Sequence, residues 1–311
     1  MQTTTLGRTN LSVSRMGVGA GGPSQIGRKT GLTEAESADL LRRAFDRGVN
    51  FVDTAEGYGT EPIVGQALQG RDRSSIIVSS KKSTRRQEVN AQTLRTSLEL
   101  SLKNLDTDYI DLYNLHGVVP QDYPRLVTDI YPILQKAQDQ GKIRFVGLSE
   151  MFNEDLGHTM LQQALDDDLW DVLMVGFNLL NQTAREKVFA KAMAKNVGIQ
   201  IMFAVRKALG NPENLKPFVD ALIDSGEIEA SEIDRGNPLG FALAHGTLPD
   251  VAYRLCRDEP GVHVVLSGTG NANHLQQNLD TFERGALPSA TMGQLHHLFR
   301  NVVSTTGQSL D

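Results

Sequence analysis

The feature that most constrains this chain is an alternation repeated eight times. Short β-rich runs occupy Met16–Ala20, Asn50–Ala55, Ile76–Lys81, Ile110–His116, Ile143–Ser149, Val172–Phe177, Gly198–Val205 and Val262–Gly268. Between them lie helical patterns at Thr33–Arg47, Glu61–Gln69, Asn90–Leu105, Tyr123–Gln140, Asn153–Asp168 and Gln182–Lys195, a broken region 211–259, and Asn271–Phe282. Runs such as Ile76-Ile77-Val78 are apolar throughout, as parallel strands covered on both faces are. Eight such units predict an α/β fold, a (β/α)8 TIM barrel, with a doubly wound sheet as the alternative. The glycines after the first run discriminate between them. Gly17-Val18-Gly19-Ala20-Gly21-Gly22 leads into Pro23 and a loop, not into the helix that a dinucleotide fingerprint requires. They read as a permissive turn at the mouth of a barrel.

The expectation is one domain over residues 1–311, with the barrel at about 14–285 and a C-terminal extension at 286–311. Thr3–Ser14 reads as a short hairpin turning at Arg8-Thr9-Asn10 and plugging the barrel's N-terminal end. Residues 206–247 carry Gly210, Pro212, Pro217, Gly226, Gly236, Pro238, Gly240 and Gly246, which predicts short helices in a loop-rich insert after the seventh strand. Met292–Val303 reads as a final helix, and the last residues as frayed. A net charge of −6 argues against a nucleic-acid partner, which usually meets a basic stripe. The one cysteine, Cys256, excludes a disulfide framework and a cysteine-rich zinc site. Seven scattered histidines, including His296-His297, form no spaced metal-ligand set. Without a signal-peptide pattern or an apolar run of about 20 residues, the expected setting is the cytoplasm, away from membranes.

Barrel chemistry collects at the C-terminal ends of strands. The polar residues there are Asp53, Lys81, His116 and Ser149, with Tyr58 five residues beyond Asp53. Singly, each has an ordinary explanation: a turn cap, a solvated lysine, a core histidine, a rim tyrosine. Together they form a coherent set. A phenol has an unperturbed pKa near 10, a neighbouring ammonium lowers it, and a carboxylate holds that ammonium in place. A neutral histidine can donate to a carbonyl oxygen as negative charge develops there. Such a set suits protonation of a carbonyl oxygen while hydride reaches the carbon. No side chain supplies hydride, so a nicotinamide cofactor is implied.

The sequence resembles the aldo-keto reductase family. The resemblance rests on Asp53-Thr54-Ala55-Glu56-Gly57-Tyr58-Gly59, Ile77-Val78-Ser79-Ser80-Lys81, Asp111-Leu112-Tyr113-Asn114-Leu115-His116, Val146-Gly147-Leu148-Ser149 and Leu266-Ser267-Gly268-Thr269-Gly270-Asn271. It implies a barrel that binds NAD or NADP without a Rossmann domain. By position it makes Asp53, Tyr58, Lys81 and His116 the catalytic tetrad, with Tyr58 the general acid in reduction and base in oxidation.

On the cofactor side the resemblance assigns Ser149 to the nicotinamide carboxamide, but Glu150 stands where the family usually has Asn, and Met174 where it often has Gln. Phe203 is expected to stack on nicotinamide, with a core aromatic as the ordinary alternative. Glu150 would favour the oxidised, positively charged ring, unless it points to solvent or pairs with a basic residue. The phosphates are expected at Gly268–Asn271 and the helix beginning there. Gly268 and His274 replace the basic pair of NADPH-specific relatives, while Thr269 and Asn278 remain as adenosine contacts. Arg206 and Lys207 reach the phosphates from the seventh loop in this reading. The expected partner is a small carbonyl or alcohol substrate, its pocket walled by 20–29, Glu56-Gly57, 118–123, Met151-Phe152 and the insert. The competing function is a nicotinamide-binding regulatory subunit with little turnover.

Overall fold

The structure, a computed structural model, describes residues 1–85 and 89–309. Two short strands, β1 (Thr3–Thr5) and β2 (Ser12–Ser14), pair antiparallel as the expected hairpin. Eight strands then close a barrel: β3 (Met16–Gly19), β4 (Phe51–Asp53), β5 (Ile77–Ser83), β6 (Ile110–Val118), β7 (Ile143–Glu150), β8 (Val172–Gly176), β9 (Gly198–Met202) and β10 (Val264–Ser267). Every neighbouring pair is parallel, and β10 returns to β3. The doubly wound alternative is thereby excluded. Side chains alternate as a strand requires: on β6, Tyr113 and Leu115 join the core beneath the helices, while Leu112, Asn114 and His116 face the barrel interior.

The N-terminal plug is a packed element. Leu6, Leu11 and Val13 form one apolar cluster with Phe51, Ile77, Leu112, Val172 and Val264, contributed by five barrel strands. The hairpin turn fits so closely that a Cβ on Gly7 would lie 2.4 Å from the Gly198 nitrogen, and Gly7 itself has φ +49°. Asn50 ties the plug to β4, its Oδ1 accepting from the Ser14 amide at 2.7 Å and its Nδ2 donating to the Ser12 carbonyl at 2.8 Å.

Several boundaries depart from expectation for identifiable reasons. The helix expected at Asn153–Asp168 begins only at Thr159. Asp155 accepts from the amides of Thr159 and Met160, and His158, at φ +56°, turns the chain just before it. Tyr123–Gln140 contains a wide π-turn at Leu126–Ile130, just ahead of Pro132, which has no N–H to continue the ladder. In the insert, Pro212–Asp224 is one 13-residue helix despite Pro217. Asn211 caps it, and its face of Leu215, Phe218, Val219, Leu222 and Ile223 is buried. The final helix is Ser289–Leu298, and the tail beyond it is not frayed. Buried Asn178 and Asn181 donate to the carbonyls of Thr306 and Thr305, and the Ala208 amide donates to Gly307. The extension's last two residues lie outside the described ones. No helix of the described residues is long and apolar enough to cross a membrane.

Leu6 is fully buried in the plug. Leu6→Ala is expected to destabilise the protein by about 2–5 kcal/mol, the usual range for emptying such a site. Urea unfolding measures this, and a change below about 0.5 kcal/mol, typical of surface substitutions, would mean that the plug is ornamental.

Candidate active site

Asp53 ends β4, Lys81 lies on β5 and His116 on β6, so three consecutive strands deliver them to one end of the barrel. The register places Asp53 beside Ser79 and Lys81 beside Asn114. Lys81 is wholly buried, and its Nζ donates to Asp53 Oδ2 at 2.5 Å and to the Thr54 carbonyl at 2.7 Å. Ser79 Oγ donates to Asp53 Oδ1 at 2.8 Å and accepts from Asn114 Nδ2 at 3.1 Å. Burial pushes the Asp53 carboxyl up, and the facing ammonium and Ser79 oppose it. Neither ion is tolerable there without the other.

Tyr58 ends a single 3-10 turn, Glu56–Tyr58, directly after that carboxylate. Its hydroxyl lies 3.3 Å from His116 Nε2, with the two rings nearly perpendicular, and Lys81 Nζ is 5.3 Å from the phenol ring centre. The turn is anchored from behind: the Glu56 carboxylate accepts from Lys82 Nζ, the Ser83 amide and Ser97 Oγ. From the front it is held by absence of bulk. A Cβ on Gly21 would fall 2.4 Å from the Tyr58 ring, whereas Gly22, at φ +69°, makes the turn itself.

One electrostatic expectation is corrected. The Tyr58 phenol is raised above its ordinary value, not lowered, because burial disfavours the phenolate more than Lys81 and Arg206 stabilise it. Burial beside Lys81 lowers His116 to about 3, so its imidazole is neutral at physiological pH. The pair therefore offers an intact phenol and a neutral imidazole, which are hydrogen-bond donors suited to a carbonyl oxygen.

Asp53, Tyr58 and His116 line one cavity together with Ser149, Met174, Phe203 and Arg206. An adjoining cavity shares Val205, Tyr253 and Gly268 with it and is lined further by Thr269, His274 and Asn278. The residues assigned to the two ends of a dinucleotide thus occupy two neighbouring cavities along one cleft. Phe203 lies beyond the end of β9, which stops at Met202 instead of Val205, and its φ of +68° marks a turn at the mouth. One face of its ring carries the Arg206 guanidinium, 3.8 Å from the ring centre.

Four other placements bear on the expectations. Arg206 lines the Tyr58 cavity and not the one containing Thr269 and His274. Glu150 stands at the wall of the Tyr58 cavity with its carboxylate buried, accepting from the Gly176 amide at 2.7 Å and pairing with His158 Nδ1 at 2.9 Å, which is the expected alternative of a basic partner. His158 Nε2 in turn meets Thr183 Oγ1, and its ring stacks on Phe152. At the helix beginning with Ala272, the amides of Asn273 and His274 are already taken by the Asn271 side chain, and Asn278 Nδ2 donates to Ser267. Val118 and Tyr123, expected in the pocket wall, belong to the core beneath the helices. Gln200 was not singled out. It is the strand partner of Met174, fully buried, and both amide atoms lack a partner. The signal was present as the one polar residue in Gly198-Ile199-Gln200-Ile201-Met202.

The residues present fit a nicotinamide dinucleotide. One end of the cleft offers an aromatic ring, a hydroxyl and a thioether, and its wall carries a buried guanidinium nitrogen with no partner.

The family model described as the Aldo/keto reductase family matches residues 15–299. An L-galactose dehydrogenase of Arabidopsis thaliana is 34% identical over 152 residues, covering 46% of this chain and 47% of that protein, so the match spans less than half of either. An NADH-specific methylglyoxal reductase of Escherichia coli is 26% identical across 88% of this chain and 91% of its own. Among solved structures, the holo form of an aldo-keto reductase from Bacillus halodurans superposes with a TM-score of 0.72, at 22% identity and 96% coverage of both chains. The chain belongs to the aldo/keto reductase family, oxidoreductases that act on carbonyls and sugars.

Gly21→Ala is expected to displace the Tyr58 ring while leaving the barrel folded. Carbonyl turnover falls about 100-fold, as a misplacement near 1 Å can produce, with the thermal midpoint nearly unchanged. Equal rates for both proteins would show that Tyr58 does not depend on this contact.

Proposed function

We propose that the protein is an NAD(P)-dependent oxidoreductase that interconverts a small carbonyl compound (an aldehyde, a ketone or a sugar) and the corresponding alcohol. The observation that carries this reading is the convergence of the Tyr58 hydroxyl and His116 Nε2, 3.3 Å apart, above the buried Lys81–Asp53 pair in one cavity. Ser149, Met174 and Phe203 would hold the nicotinamide, and Gly268, Thr269, His274 and Asn278 the adenosine end. When bound, the cofactor supplies or accepts the hydride.

Tyr58 is the general acid in reduction: its raised pKa keeps the proton on the phenol until the carbonyl oxygen gains charge. His116, neutral, turns an N–H toward the same oxygen and orients it. Lys81 stands beneath the phenol ring and stabilises the phenolate left after transfer, while Asp53 keeps the ammonium in place. In the alcohol-to-carbonyl direction Tyr58 takes the proton back. With Glu150 committed to His158, a bias toward oxidised cofactor has no support from that carboxylate, and both directions remain within the proposal.

Tyr58→Phe removes the phenol hydroxyl, and with it the transferable proton and the contact to His116 Nε2. Turnover of aldehydes with NADH or NADPH is expected to fall by at least about 100-fold, the lower range for a lost general acid, while cofactor binding, followed by fluorescence, persists. Turnover within a factor of two of wild type would remove Tyr58 from the mechanism. A wild type that binds cofactor tightly but reduces no carbonyl would favour the regulatory-subunit reading.

A further inference from the structure

Tyr58 sits on a piece of backbone that cannot hold itself in place. Glu56–Tyr58 is a single 3-10 turn between β4 and the helix Glu61–Leu68, closed by a hydrogen bond from the Tyr58 amide to the Ala55 carbonyl and without a side-chain cap at its start. A turn of that length has no stability of its own. Contacts from outside must fix it. The Thr54 and Thr60 hydroxyls meet at 2.9 Å in the interior and close the neck of the loop. Within the turn, Glu56 reaches two further elements. Its carboxylate accepts from Lys82 Nζ at 2.9 Å and the Ser83 amide at 3.0 Å, both on β5, and from Ser97 Oγ on the helix Ala91–Leu105.

Successive residues of a strand point to opposite faces, and β5 uses both. Lys81 turns into the barrel to Asp53, whereas Lys82, beside Leu115 of the outer core, is buried and meets both Glu56 oxygens, at 2.9 and 3.2 Å. Consecutive lysines thus grip the segment leading to Tyr58 at Asp53 and at Glu56, one from each face of the sheet. A buried ion pair is a poor stabiliser, because desolvation offsets its attraction and apolar residues of similar size serve a core as well. What charged hydrogen bonds add is direction. Glu61 supplies the comparison. It is buried and ties the start of the next helix to the same two elements, through Ser80 Oγ at 2.6 Å and Asn104 Nδ2 at 3.2 Å, but its donors are neutral and it lies beyond the turn.

We propose that Glu56 and Lys82 are positioning residues: by tying the turn to β5 and Ser97 they hold the Tyr58 hydroxyl at His116, where it meets the carbonyl oxygen. Glu56, expected in the pocket wall, turns its carboxylate away from it, and neither residue lines the cavities that Tyr58 lines. The inference rests on the carbonyl–alcohol reading, in which Tyr58 carries the proton.

The test compares wild type with Glu56→Gln, Lys82→Met, their combination, Lys82→Arg and Glu61→Gln. Steady-state rates are measured on methylglyoxal and 4-nitrobenzaldehyde, and cofactor affinity by fluorescence. Fluorine NMR of protein carrying 3-fluorotyrosine follows the Tyr58 resonance, assigned by its loss in Tyr58→Phe. In Glu56→Gln and Lys82→Met, kcat is expected to fall about tenfold, less than a displacement near 1 Å brings, while KM and the cofactor dissociation constants stay within about threefold. The double variant falls no further than the worse single one, since each breaks the same tie, and Lys82→Arg recovers part of the loss. Glu61→Gln lowers the thermal midpoint but keeps kcat within about twofold, and the Tyr58 resonance shifts or broadens only in the variants of the pair. Unchanged kcat in both single variants overturns the proposal. So does an equal loss in Glu61→Gln, a loss carried by KM or cofactor binding, or a double variant that multiplies the two single losses. If wild type turns over neither aldehyde, the reading of the reaction has failed, and the resonance decides the positioning alone. Its displacement in Glu56→Gln and Lys82→Met, but not in Glu61→Gln, supports the inference, and any other pattern overturns it. Should those two variants not fold, Ser97→Ala, which removes one neutral donor to Glu56, replaces them: a displaced Tyr58 resonance supports the inference and an unmoved one overturns it.

Discussion

A lysine with no exposure at all has to be explained before anything else in this barrel. Lys81 is tolerated inside the strand cylinder because Asp53 faces it at 2.5 Å, and Asp53 is tolerated because Lys81 and Ser79 satisfy both its oxygens. The pair spans β4 and β5, and Asn114 extends it to β6 through Ser79. Three strand ends are thus held in one register by polar groups that have no solvent to turn to. Tyr58 and His116 inherit their positions from it, the first a few residues beyond Asp53 and the second at the end of β6. Facing each other at 2.5 Å, the two ions largely cancel beneath Tyr58 and His116.

The two ends of the cylinder have different tasks. At the N-terminal end, apolar side chains of the hairpin fill the opening and contribute burial. At the C-terminal end the strands give way to turns whose conformations are dictated by contacts: Glu56 tied to Lys82, Ser83 and Ser97, Gly21 making room for Tyr58, and Phe203 in the left-handed region. Chemistry is confined to the end where backbone variation leaves the barrel intact.

Much of this was legible in the sequence, because it is written in local patterns. Alternation of apolar runs reveals the barrel, and Asp53, Lys81 and His116 stand at the ends of consecutive runs. What was not legible depends on tertiary surroundings. Pro217 reads as a breaker until the buried face of Pro212–Asp224 outweighs it. Glu150 reads equally as a cofactor group or as the partner of a basic residue, and only the fold shows that His158, turned back by its left-handed backbone, is that partner. The raised pKa of Tyr58 is set by burial, which composition does not reveal. Gln200 was visible as a polar interruption, but its significance appears only when its amide is found without partners beside Met174.

The dependence of the site on the interior ion pair is tested most directly by unfolding a double-mutant cycle in urea: wild type, Asp53→Asn, Lys81→Met and the combination. Removing one member leaves a charge buried without its partner. Each single substitution is therefore expected to cost about 3–5 kcal/mol, and the double variant clearly less than their sum. Additive losses, or single losses below about 1 kcal/mol, would show that the two groups do not act as a buried ion pair, and the account of how the tetrad is held together would fail with them.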